Sequence, residues 1–215
     1  KYSRRGTPQS MTQHDQAPMY FLFDVETGGV KEQQTSLLSL YGLILNKRLE
    51  VLDGIDLKVK PNDGVYRVNA AAMAINKIDL VVHDMEAVTE TEAAKTLITF
   101  LNHGCQMGKL QQAGHNCDLD KRFVRKLLLD HGVEWDDLFT HRTLDSAQAA
   151  QFLKLDGLEF IPKGCNGSLA KLVLEFCPGL KGQLSKAHNA QVDCELTLAV
   201  LIAMRDSLGN ALQHS

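Results

Sequence analysis

Asp24 and Glu26 interrupt the apolar run Tyr20-Phe21-Leu22-Phe23, and they are two residues apart. The run reads as a buried strand, and alternate strand residues share a face, so both carboxylates point the same way from its end. Two half-buried anions at that spacing repel each other and lose hydration. A divalent cation relieves the conflict, because hard carboxylate oxygens are ligands for Mg²⁺ and Mn²⁺. Thr27-Gly28-Gly29 then ends the strand and lets backbone approach a ligand closely. Two more acids fall in predicted first turns of helices: Asp120, just after His115-Asn116, and Asp193, five residues after His188. Either acid alone is what a helix dipole or cap calls for.

Other residues carry weaker chemistry. Lys121, Arg122, Arg125 and Lys126 form a basic group on one helix, readable as a solvated face or as a phosphate-contacting strip. His103-x-Cys105 and His115-x-Cys117 are ligand-like couples, but their spacing is not that of the familiar zinc sites, which favours buried thiols. Phe160 is a candidate for stacking on a base. Phe21 reads as strand core and Trp135 as a packing anchor.

These residues need a frame. Leu37–Asn46 and Leu49–Lys60 read as two further strands, joined tightly through Asn46-Lys47-Arg48 in an antiparallel meander. Asn69 caps a short helix over 70–75, and Thr89 or Thr91 caps an amphipathic helix to His103 that Gly104 stops. A weak strand over 109–114 leads into a helix over Asp118–His131 with Leu119, Phe123, Val124, Leu127 and Leu128 on its core face. Helices follow over Thr143–Leu153, over Ser168–Phe176 and from about Ala190 to Leu208, with a Gly- and Pro-bearing loop over Asp156–Gly167. Strands followed by helices, with one strand between helices, predict an α/β protein with a mixed sheet.

The composition sets limits. A net charge of −3 gives no global basic field, so a nucleic-acid partner needs a local positive patch or bound cations. Five cysteines, an odd number without a CxxC pair, point to free thiols in a reducing compartment, hence a cytoplasmic protein. No apolar run is long enough to span a membrane. Residues 1–18 read as a disordered tail, with Met11 a candidate start and 1–10 a cloning remnant; residues 19–210 read as a single domain.

Phe23-Asp24-Val25-Glu26-Thr27-Gly28, then His115-Asn116-x-x-x-Asp120, then His188-x-Ala190-x-x-Asp193, occur in that order. This set resembles the three motifs of the DEDDh (DnaQ-like) family of 3′–5′ exonucleases, and the similarity runs from Tyr20 to about Leu208. The resemblance implies an RNase H-like fold with a central five-stranded mixed sheet flanked by helices. It implies that Asp24, Glu26, Asp120 and Asp193 hold two Mg²⁺ or Mn²⁺ ions about the scissile phosphate, and that His188 is the general base. It further implies that Thr27, Gly28 and Gly29 line the terminal nucleotide, with His115 and Asn116 positioning substrate or holding the Asp120 turn. Five helical steps set two side chains about 140° apart, so His188 belongs in the loop before the last helix rather than on it.

The expected activity is hydrolysis of single-stranded nucleic acid from its 3′ end to nucleoside 5′-monophosphates. Motif one and Leu37-Leu38-Ser39-Leu40 look more like the proofreading branch, which favours DNA. The motifs leave an exoribonuclease of the RNase T or oligoribonuclease kind open. They also leave a silent nucleic-acid-binding domain, against which the presence of all four acids and the histidine counts.

Overall fold

In the computed structural model, residues 16–154, 165 and 167–214 are described, the last five by their backbone alone. Residues 1–15 of the expected tail, and the loop over Asp156–Gly167 with Phe160, lie outside them apart from Cys165 and Gly167.

Three long strands come first along the chain: β1 (Pro18–Thr27), β2 (Leu37–Asn46) and β3 (Val51–Lys60), paired antiparallel in sequence order. The β2–β3 turn is held by Asn46, whose Oδ1 accepts from the N–H groups of Arg48 (2.9 Å) and Glu50 (3.0 Å). Leu49, expected inside the strand, sits in this turn with φ 64° and buries its side chain, so β3 starts two residues later.

Helices α1 (Ala70–Asn76) and α2 (Leu80–Glu86) follow. Asn69 caps α1 through the Ala72 N–H, as expected. Asp79 caps α2, a helix the periodicity did not signal because its valines and methionine face solvent. Next come β4 (Val88–Thr89) and α3 (Glu90–Gly104), which starts on a reciprocal capping box between Thr89 and Glu92. Then follow β5 (Leu110–Gly114), α4 (Asp118–Leu129), α5 (Trp135–Leu138), β6 (Phe139–Asp145), α6 (Ser146–Phe152), α7 (Leu169–Phe176) and α8 (Ala190–His214).

The sheet is six-stranded and mixed, in the order β4-β3-β2-β1-β5-β6. Five strands were expected; the additional one is the two-residue β4, parallel to β3 at one edge. The helix expected from Thr143 starts instead at Ser146, because Thr143 and Leu144 belong to β6, parallel to β5 at the other edge. Half-exposed edge strands lack the alternation that marks a covered one.

Each face of the sheet carries its own core. Phe21, Phe23 and Val25 of β1 point to the side covered by α3, α4 and α5, where Phe123, Leu128 and Trp135 are buried. Trp135 stacks on Phe139 with centroids 4.0 Å apart, the packing role expected for it. Leu22 points to the opposite side, against Cys194 and Leu201 of α8. All five cysteines are free. No helix among the described residues is long and apolar enough to cross a membrane.

Candidate metal centre

Asp24 and Glu26 continue the Leu22 face of β1 beyond the point where apolar packing ends. Cys194 of α8 is buried on that face, its thiol 3.5 Å from the Leu22 carbonyl. That contact brings the preceding residue, Asp193, over the end of β1. One carboxylate oxygen from each of Asp24, Glu26 and Asp193 lies within 4.8 Å of the others. Among the described residues this is the one grouping of His, Cys, Asp and Glu with metal-ligand spacing; the His-x-Cys couples form none.

Asp120 arrives from the other layer and does not join that trio. The parallel pairing of β1 with β5 stops at Leu22 opposite Ala113, so β1 runs on paired with β2 alone and open on its β5 side. Asp120, in the first turn of α4 and only 7% exposed, takes the place of that strand: its Oδ1 accepts the Val25 N–H at 3.0 Å. Its carboxylate is thereby fastened to the residue between Asp24 and Glu26.

The electrostatics record how little the protein does to neutralise these acids. Among the described residues, no protein group donates a hydrogen bond to the carboxylate of Asp24 or of Glu26. Burial, then repulsion from Asp120, Asp193 and Glu26, holds the Asp24 carboxyl well above the usual carboxylate range. Burial and repulsion from Asp193 and Asp120 push Glu26 up to about 7. Asp120 is pushed up to about 6, mainly by burial and against the pull of its backbone donors. Asp193 is raised by burial, partly offset by a backbone N–H. The donor set is all oxygen, anionic and short of partners, which fits a hard divalent cation.

That backbone N–H belongs to His188, 2.9 Å from Asp193 Oδ2. His188 lies before α8, in the turn that Asn189 caps through the Val192 N–H, and its side chain is exposed. Its φ of 66° is a left-handed value unusual for a side-chain-bearing residue. The acid thus fixes the main chain of His188 and leaves the imidazole free to turn.

Thr27, Gly28 and Gly29 are buried in a packed turn. Thr27 Oγ1 donates to the Gly29 carbonyl at 2.7 Å, and Gly28 bonds to Ser36 and Asn69 through its backbone. A Cβ at Gly28 would stand 2.3 Å from the Arg67 carbonyl oxygen, so a close approach of two backbones requires glycine there. His115 and Asn116 sit at the β5–α4 turn. His115 Nδ1 is 2.8 Å from Ser146 Oγ, and burial lowers the imidazole's pKa. The Asn116 N–H donates to Asp145 Oδ1 at 3.1 Å.

The basic group on α4 is largely engaged within the protein. Arg122 pairs with Glu32 and Asp118, Lys126 with Asp130, and the Lys121 ammonium lies over Trp135 at 5.4 Å. Two features went unread in the sequence. Asp145 holds the β5–α4 turn and the start of α6 together; its place just before Ser-Ala-x-Ala is a cap signal that could have found it. A groove of about 480 Å³ also opens beside Glu26 and His188, walled by the α1–α2 turn and the segment before α8.

No protein-family model matches the chain, and no curated protein matches it. Solved structures do. Escherichia coli exonuclease I in complex with a 5cy-dT13 oligonucleotide aligns at 15% identity and a TM-score of 0.73, over 92% of this chain and 43% of that one. The zinc-bound form of the E. coli exonuclease I–ssDNA complex aligns at 16% identity and 0.73, over 91% and 42%. A moderately thermophilic exonuclease I from Methylocaldum szegediense aligns at 20% identity and 0.66, over 87% and 40%. The likeness establishes the fold, an RNase H-like sheet flanked by helices; the chain spans about 40% of the length of these structures.

Proposed function

We propose that the chain is a divalent-metal-dependent 3′–5′ exonuclease acting on single-stranded DNA and releasing nucleoside 5′-monophosphates. The observation that carries the reading is the cluster of Asp24, Glu26 and Asp193, within 4.8 Å and short of protein partners. The fold likeness to exonuclease I, solved with single-stranded DNA, supports the substrate class, and the order of the three motifs supports the reaction.

Asp24, Glu26 and Asp193 would hold the cations, with Asp120 completing the site from α4 through its second oxygen. When bound, Mg²⁺ or Mn²⁺ in a pair supplies positive charge that draws phosphate in and stabilises the attacking and departing oxygens. His188 takes the proton of the water that attacks phosphorus. The new bond is water oxygen to phosphorus; the broken one is phosphorus to the 3′ oxygen. The products are a 5′-monophosphate and a strand one nucleotide shorter with a free 3′ hydroxyl. Asp193 orients His188 by holding its main chain.

The test is a 5′-labelled single strand incubated with Mg²⁺, with Mn²⁺ or with EDTA. The expected result is a ladder shortening from the 3′ end only when metal is present. Binding without shortening marks the silent nucleic-acid-binding domain. A matched RNA strand run alongside, degraded faster than DNA, moves the substrate to RNA.

A further inference from the structure

The groove beside Glu26 and His188 is also lined by Lys58, Lys77 and Lys186. Lys58 is neutralised by Glu86. Among the described residues, Lys77 and Lys186 have no carboxylate within ion-pair distance. Three of the groove's four acids are occupied or separate: Asp79 caps α2 through the N–H groups of Val81 and Val82, Glu86 holds Lys58, and Glu26 belongs to the metal cluster. Asp56 also lines it.

Lys77 stands where the backbone favours another residue. It ends α1 at φ 56° and ψ 25°, and its N–H closes the helix on the Met73 carbonyl. This left-handed position just past a helix is the one glycine fills without steric cost. Retaining a long cationic side chain there costs conformational energy, and such strain gathers at working sites. Two of the four described side-chain-bearing residues with positive φ, Lys77 and His188, line this one groove. The turn is also registered to the acids: Asn76 Nδ2 donates to the Thr27 carbonyl at 3.2 Å, and Asn76 Oδ1 accepts from Ile78 N–H at 3.1 Å. The root of Lys77 is therefore tied to the end of the strand that carries Asp24 and Glu26.

We propose that Lys77, with Lys186 facing the same groove, grips the phosphodiester backbone of the strand being shortened and so positions its end at the acids. The inference rests on the functional reading above. It makes Lys77 a positioning residue, acting through contact with phosphate and not on the reacting atoms.

The experiment compares wild type with Lys77→Gly, Lys77→Gln, Lys77→Arg and the double variant K77Q/K186Q. Binding of a labelled dT oligonucleotide is read by fluorescence anisotropy in Ca²⁺ across a salt series, and turnover in Mg²⁺ is read separately. The expected result for Lys77→Gln is a dissociation constant and KM raised by roughly 3–10-fold, with kcat within about 2-fold. The slope of log affinity against log salt should flatten by about 0.7 per lysine removed. Lys77→Arg should restore binding. Lys77→Gly should bind as weakly as Lys77→Gln while melting no lower than wild type, because glycine relaxes the backbone. That pairing separates a phosphate contact from a structural role. A wild type that binds and cuts, with Lys77 variants of unchanged affinity and salt slope, overturns the proposal alone. A wild type that holds no oligonucleotide overturns it together with the nuclease reading.

Discussion

Two groups of buried or half-buried acid lie close together in this molecule, and the protein treats them in opposite ways. Asp145, only 5% exposed, receives four backbone N–H groups, from Asn116, Cys117, Ala147 and Gln148, at 2.8–3.3 Å. Those donors outweigh its burial and hold its carboxyl below the usual range. Asp120 accepts the Val25 N–H of β1 and Asp193 the His188 N–H of the turn before α8, and both stay raised. Asp24 and Glu26 accept none from the described protein groups, and both are raised, Asp24 well above the usual range. A buried carboxylate satisfied by the fold is a structural part. One left crowded and unsatisfied, as Asp24 and Glu26 are, carries a cost that a bound cation would relieve.

The contrast can be broken most sharply by mutation. Asp24→Asn should lower turnover on the order of 10⁴-fold, as loss of a group acting with others does. The same change should raise the melting temperature of the metal-free protein at pH 8, because it removes repulsion. If activity survives, Asp24 is no ligand. His188→Ala should lower turnover by about 10²–10³ while leaving cation affinity in place, which a turnover assay paired with calorimetry reads directly. Asp145→Ala should act in the opposite sense to Asp24→Asn on stability. It leaves four N–H groups unpaired, and the melting temperature should fall by roughly 5–10 °C. A stability unchanged by Asp145→Ala would remove the structural half of the comparison.

A finer test is pH. Glu26 titrates at about 7 in the fold and near 4.5 unfolded. Above pH 7 it is ionised in both states, so the fold bears the full repulsion. As pH falls from about 7 to about 4.5 the folded form takes the proton first, and the repulsion is relieved. The metal-free protein should therefore melt higher at pH 5.5 than at pH 8, by roughly 5 °C. Added Mn²⁺ should stabilise it more at pH 8 than at pH 5.5, since protons and cation compete for the same oxygens. A melting temperature that rises with pH in this window, without metal, contradicts the account.

Much of this was legible in the sequence. The alternation of β1 put Asp24 and Glu26 on one face, the Asn69 and Thr89 caps set two helix starts, and five-residue spacing kept His188 off α8. What escaped depends on facts that pattern does not carry. Asp120 was expected as a fourth acid beside the other three; that one of its oxygens also fastens β1 through the Val25 N–H, where β1 outruns β5 at Leu22–Ala113, was not. That is a matter of register between strands remote in sequence. Asp145 was read into a helix that in fact begins after it, because a cap residue and a first-turn residue look alike in composition. The left-handed turn at Lys77 carries no glycine to announce it.

The central claim is that Asp24, Glu26 and Asp193 exist to hold a divalent cation. Titrating Mn²⁺ into the protein at pH 7.5 and following the free-ion signal by electron paramagnetic resonance tests it most directly. The account predicts that wild type depletes the signal and that the double variant Asp24→Asn/Glu26→Gln, still folded by circular dichroism, does not. A wild type that leaves the signal undiminished, or a folded double variant that depletes it equally, would contradict the claim.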